Sequence, residues 1–199
     1  LDTGSFQTCA VLSNATTRCW GSNSHGQLGT DNTTITQSTT SVLVGAAPFI
    51  TNVAEDVYTT GAGDAHVCMV QTTNTVVCAG ANGQGQLGDG TLVSRPRARN
   101  VVGVSGAVGV TAGQLHSCAV LSSGGVRCWG YGSNGEMGDG VNARNLTAGP
   151  VTGISSATQV AAGVQHNCAR LGDGTVWCWG RNTHGQIGNA SVATLTNVP

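Results

Sequence analysis

Eight cysteines and five histidines are the side chains in this 199-residue chain best equipped for chemistry. The cysteines form four pairs: Cys9 and Cys19, Cys68 and Cys78, Cys118 and Cys128, Cys168 and Cys178, all spaced C-x9-C. His66, His116 and His166 each stand two residues before the first cysteine of a pair. A dithiol redox couple would use C-x-x-C, which the sequence lacks. A metal site is the stronger competitor. Residues two apart share one strand face, so His166, Cys168 and the partner strand's Cys178 converge as a Cys₂His set, one ligand short of a structural zinc site. Against it, Gln7 takes the His position beside the first pair, and no fourth ligand recurs. The remaining chemistry is a disulfide. The segments between paired cysteines contain SNAT, TTNT, SSGG and GDGT, all turn-forming. A hairpin centred there sets residues i and i+10 opposite each other, within bonding reach. The expectation is four hairpin disulfides that use every cysteine, with no metal and no cofactor.

The elements that must position these pairs recur along the chain. Segments 4–29, 63–88, 113–138 and 163–188 align over 26 residues without gaps, at a period of 50 between the last three and 59 between the first two. The extra residues of the first interval lie in a Thr/Ser-rich stretch, 30–48, read as an inserted surface loop. Weaker Val/Ile/Ala-rich segments separate the motifs. Each unit reads as strand, turn, strand, tight turn, strand and Gly-rich loop, and nothing sustains a helical period. A repeat of about 50 residues with several short strands matches one β-propeller blade. The fold class is therefore all-β, a single propeller array spanning 1–199, with a β-solenoid as the alternative.

Composition narrows the setting. Charged residues are 9% of the chain and the net charge is −1. All eight basic residues are arginine, and they form no stripe that could neutralise a phosphate backbone, which disfavours nucleic-acid binding. No apolar run approaches the length of a membrane span. Four N-x-S/T sequons, at Asn14, Asn32, Asn145 and Asn189, fall in segments read as turns or loops and are candidate N-glycosylation sites. Disulfides and sequons together indicate an oxidising compartment, secreted or at the cell surface.

The other repeated residues read as scaffold. A histidine in register in three copies suits a hydrogen bond to the backbone of the next blade better than catalysis, which needs an unrepeated partner. Trp20, Trp129 and Trp179 follow the second cysteine and fill the space between blades, with Ala79 breaking the series. His25 and His184 occupy a variable, exposed slot. The tail G-x-N-x-x-G-Q-L-G supplies turns, and no helix follows it to build a phosphate-binding unit.

The pattern H-x-C-A-V-L…C-W-G-x-N-x-x-G-Q-L-G-D-G-T, clearest in GANGQGQLGDGT (80–91) and RCWGYGSNGEMGDG (127–140), resembles the regulator of chromosome condensation repeat. The resemblance covers all four copies. It implies a β-propeller, seven-bladed in members of known fold, and the paired cysteines resemble those of its secreted or surface forms. Four copies with ends inside a blade imply a fragment, or a part of a larger polypeptide or assembly.

Two functions follow as expectations. The first is a non-catalytic structural or interaction scaffold of an extracellular glycoprotein, whose partners are proteins or further copies of the same assembly. The second is a secreted binding module or inhibitor acting through loops on one face, carried by Trp177, Tyr131, Arg95, Arg97 and Arg99. An enzyme would draw on Glu55, Asp56, Asp64 and Asp173, none of which pairs with histidine at a repeated catalytic spacing.

Overall fold

The computed structural model describes residues 2–3, 5–13, 16–30, 34–44, 57–63, 65–191 and 194–199. Among the described residues sixteen strands make four antiparallel four-stranded sheets, in chain order. Blade 1 holds β1 (Asp2–Thr3), β2 (Gln7–Val11), β3 (Thr17–Ser22) and β4 (Gln37–Leu43). Blade 2 holds β5 (Val57–Ala62), β6 (His66–Gln71), β7 (Val76–Gly80) and β8 (Arg95–Asn100). Blade 3 holds β9 (Ala107–Ala112), β10 (His116–Leu121), β11 (Val126–Gly130) and β12 (Asn145–Pro150). Blade 4 holds β13 (Ala157–Ala162), β14 (His166–Leu171), β15 (Val176–Arg181) and β16 (Leu195–Thr196). The inner strands β5, β9 and β13 lie side by side, and the blades form an open array.

The expected hairpins are present, and each blade gains a strand beyond them. β4, β8 and β12 are outer strands that follow the Gly-rich tail. Two of them occupy segments read from sequence as loops: Gln37–Leu43 lies inside the 30–48 excursion, and Arg95–Asn100 is the SRPRARN run. Their composition hid them. An outer strand has one unpaired edge, so it tolerates Pro96, exposed charge and weak alternation.

The hydrophobic core is layered between sheets. One buried cluster joins Cys9, Cys19 and Leu28 of blade 1 to Met69 and Val77 of blade 2. A second joins Cys68, Val70, Val76, Cys78 and Leu87 to Ala107, Val110 and Trp129. A third joins Val120, Val126 and Met137 to Ala157, Val160 and Trp179. Each sheet therefore has a leading face toward the preceding blade and a trailing face toward the following one. This alternation explains why strands β6, β7 and β10 are buried at nearly every position.

Candidate functional site: the blade junctions

The cysteines sit directly opposed in every hairpin register. Cys9 is bonded to Cys19, Cys68 to Cys78, Cys118 to Cys128 and Cys168 to Cys178, with Cα–Cα separations of 4.1–4.2 Å. That is the close spacing of a non-hydrogen-bonded antiparallel pair. All eight lie on trailing faces. Six are fully buried by the next blade, whereas Cys168 and Cys178 are only partly covered. Cys78 also has a strand neighbour that the sequence reading lacked: it stands opposite Arg99 of β8, in the run read as a loop.

His66 and His116 reach the next blade, but through side chains, which corrects the expected backbone partner. His66 Nε2 lies 2.8 Å from Ser117 Oγ, and His116 Nε2 lies 2.9 Å from Asn167 Oδ1. The onward hydrogen bonds of Ser117 and Asn167 fix the proton positions. Ser117 Oγ donates to the Gln86 carbonyl, so it accepts from His66 Nε2. Asn167 Nδ2 donates to the Glu136 carbonyl, leaving Oδ1 to accept from His116 Nε2. The same two carbonyls also accept the indole N–H of Trp129 and Trp179, both at 2.9 Å. The junctions between blades 2 and 3 and between blades 3 and 4 are thus each one connected network: histidine, short polar side chain, Gly-tail carbonyl and indole. Trp129 and Trp179 pack between blades as expected, whereas Trp20 is half-buried on the leading face of blade 1.

The first junction obeys the same logic with different residues. Blade 2 offers Val67 and Ala79 where later blades offer Ser/Asn and Trp. A valine cannot receive a histidine hydrogen bond. Gln7 replaces the histidine, and its amide donates to the backbone carbonyls of Gly63 and His66.

The glycine tails complete the contact. Asn23, Asn82 and Asn182 accept through Oδ1 from the amides of Leu28, Leu87 and Ile187 at 2.9–3.0 Å, pinning the turn. At Gly88 and Gly138, both at positive φ, a Cβ would stand 2.8 Å from Trp129 and Trp179, so bare backbone is required. In blade 3, Glu136 replaces the glutamine and is fully buried. Burial pushes its carboxyl up, against hydrogen bonds from Asn134 and the nearby Arg181 that pull it down.

His116 is the group most perturbed by its junction. Complete burial lowers its pKa to about 4, with the Asn167 hydrogen bond opposing and His166 adding to the shift. The unfolded chain takes up this proton first as pH falls. The stability it contributes is therefore full above about pH 6.5 and lost as pH drops toward 4, by up to about 3 kcal/mol. Glu136 acts in the opposite sense. Denaturant midpoints measured from pH 8 to 4 are expected to fall, with the fall flattened in His116→Gln.

The other candidates are scattered. Arg95, in β8, donates to Asp89 at 3.1 Å. Partial burial raises the Asp89 carboxyl, but hydrogen bonds from Thr91, Arg95 and Asn82 outweigh it and hold the group below its ordinary range. Arg97 and Arg99 also belong to β8, Tyr131 is half-buried, and Trp177 lies mid-strand in β15, 41% exposed. These residues do not make one loop surface. Asp173 caps its own turn by accepting from Thr175, while Glu55, Asp56 and Asp64 lie outside the described residues. His25 and His184 are exposed. Among the described residues no group of three or more His, Cys, Asp or Glu side chains could hold a metal ion.

The sequons divide similarly. Asn189 is exposed, its Oδ1 accepting from the Ser191 amide. Asn145 is not in a loop: it starts β12 and its Nδ2 donates to Asp139 at 3.0 Å. Asn14 and Asn32 lie outside the described residues. No helix among the described residues is long and apolar enough to cross a membrane.

Comparison with known proteins agrees with the geometry. The family profile for the regulator of chromosome condensation (RCC1) repeat matches residues 107–136 and 157–186, within blades 3 and 4. A search of curated proteins finds no match. Among solved structures, human WBSCR16 superposes with a TM-score of 0.84 at 23% identity, over 100% of this chain and 52% of that one. Yeast RCC1 (Prp20), solved bound to Kap60, gives 0.81 at 19% identity, over 98% and 46%. The ectodomain of the Physcomitrella patens receptor kinase CR4 gives 0.53 at 21% identity, over 89% and 40%. The chain spans about half the length of the solved structures it matches most fully, and the likeness is one of fold.

Proposed function

We propose that this chain, two of whose blades match the regulator of chromosome condensation repeat, is a non-catalytic interaction scaffold of an extracellular or cell-surface glycoprotein, working within a larger assembly. The observation that carries this reading is the set of four disulfides. They take up every cysteine, and such bonds persist in oxidising compartments. The histidines that could have served chemistry are engaged too: His66 and His116 are built into junctions between blades. A protein with this fold binds another protein in at least one case, the yeast RCC1 (Prp20) solved bound to Kap60. A receptor-kinase ectodomain carries a related fold, which supports the placement outside the cell. The exposed sequon at Asn189 is the proposed glycan site. Asn145 is half-buried at the start of β12, where its amide nitrogen donates to Asp139, which makes it the weaker candidate of the two described.

Secretion from glycosylating eukaryotic cells, followed by glycopeptide mapping, tests the placement. The expected result is a secreted, disulfide-bonded product with glycan at Asn189. Retention in the cell with free thiols, or secretion with Asn189 bare, would count against it. The assembly claim is checked by sizing the protein from its native source, where it should elute in a complex and not as a free chain.

A further inference from the structure

We propose that a depression bounded by blades 1, 2 and 3 binds a neutral sugar, a pyranose held by hydrogen bonds and one apolar contact. This goes beyond the scaffold reading and does not depend on it. Each hairpin sets two residues side by side here: the one before the Gln or His, and the one after the glycine opposite. In every blade the second donates its backbone amide to the first: Ser22 to Phe6, Ala81 to Ala65, Tyr131 to Leu115, and Arg181 to Gln165. Three of these pairs carry at least one large side chain. Blade 2 carries two alanines, and they line a depression of about 390 Å³. Ligand pockets run from roughly 300 to 1,000 Å³, so a single small ring suits this one.

One lining residue is a donor without a partner. Gln86 is 2% exposed. Its Oε1 accepts from the Gln84 amide at 2.8 Å, which fixes the orientation of the side chain, and its carbonyl is held by Ser117 and Trp129. Its Nε2 makes no hydrogen bond among the described residues. Blade 1 shows what is missing. Gln27, in the same register, donates through Nε2 to Ser22 Oγ at 3.1 Å. Ala81 stands where Ser22 stands, so blade 2 has lost the acceptor and kept the donor. A nearly buried donor left unpaired is costly, and an arriving acceptor removes that cost.

The other walls define the ligand. Phe6 and Leu115 supply apolar surface. Ser24 Oγ lies 3.4 Å from Ser22 Oγ and 3.0 Å from His25 Nδ1, a run of groups that can donate or accept. Among the described lining residues there is no carboxylate, guanidinium or ammonium group, so an ionic ligand has no permanent countercharge. A wholly apolar ligand would seal the Gln86 amide away unpaired. A pyranose meets every demand. Its C–H face lies against Phe6 or Leu115, one hydroxyl oxygen accepts from Gln86 Nε2, and the others exchange hydrogen bonds with Ser24 and His25.

The test is NMR titration of the ¹⁵N-labelled 199-residue protein with the methyl pyranosides of glucose, galactose, mannose and N-acetylglucosamine. At least one is expected to shift the Gln86 side-chain amide, with millimolar affinity. Ala81→Ser returns the acceptor that blade 1 has, and should weaken binding about tenfold with an unchanged melting temperature. Ala65→Leu, the residue of blade 3, should fill the depression and abolish binding. Acetamide, a mimic of a protein amide, is the control. Four glycosides that leave Gln86 unmoved overturn the proposal, as does equal affinity in Ala81→Ser. A response to acetamide alone also overturns it, by assigning the depression to a peptide. None of these outcomes alters the secretion and glycopeptide test of the scaffold reading.

Discussion

Reduction of the four disulfides is expected to unfold the protein at room temperature. Each bridge closes a short hairpin loop, for which the chain-entropy model gives about 3 kcal/mol. Four together reach about 12 kcal/mol, comparable with the whole stability of an ordinary domain. The large apolar content does not fully compensate: besides four Trp the chain has only two Phe and two Tyr. The bridges differ in one respect. Cys118 and Cys128 are sealed inside the layer between blades 3 and 4, as Cys68 and Cys78 are between blades 2 and 3, whereas Cys168 and Cys178 are partly open. Converting both cysteines of a pair to alanine should therefore cost more at 118/128, where buried sulfur packing is also lost, than at 168/178. Denaturant titrations with and without reductant, and of the two double variants, give the ranking. Equal midpoints with and without reductant would remove the disulfides from the account.

The second large effect is expected at the inter-blade tryptophans. Trp179 is fully buried, stacked over Gly138, and donates to the Glu136 carbonyl. Trp179→Ala should destabilise by about 3–5 kcal/mol, the usual cost of emptying a large aromatic site. Trp179→Phe keeps most of the packing but loses the indole donor, for about 1–3 kcal/mol. Trp129→Ala should resemble Trp179→Ala, because its surroundings are the same one blade earlier. Trp20→Ala, on a face with no preceding blade among the described residues, should cost far less. Thermal melts of the three alanine variants decide whether the three tryptophans play one role or two. An equal loss at Trp20 would show that the leading face of blade 1 is covered in a way the structure does not show.

Much of this was legible in the sequence because the repeat set four copies side by side. The C-x9-C spacing around turn residues specified the hairpin register, and the bonded pairs follow it. The Trp positions were equally readable, since a large apolar residue kept in register must be covered by the neighbouring unit. The outer strands were not legible. Gln37–Leu43 and Arg95–Asn100 carry polar residues, proline or charge because their outer edge pairs with nothing, and those are also the marks of a loop. Nor could the histidine partners be read. Ser117 and Asn167 are each 51 residues beyond their histidine, and only the stacking of sheets brings them together. The exchange of Gln7 for histidine looked like a simple departure from the repeat. Beside Val67 it becomes a compensation, because the chain changed both sides of one junction. Asn145 shows the limit of motif reading: its sequon is intact, yet its amide is part of a strand-end contact with Asp139.

The central claim is that the repeated cysteines and histidines form scaffold and carry neither metal nor thiol chemistry. The most direct measurement is the intact mass of the non-reduced protein after unfolding in excess iodoacetamide, alongside its native mass in zinc. The account predicts a mass lacking the hydrogens of all eight thiols, no alkyl adduct, and no retained zinc. Alkylation of two or more cysteines, or a zinc ion that survives into the native spectrum, would contradict it.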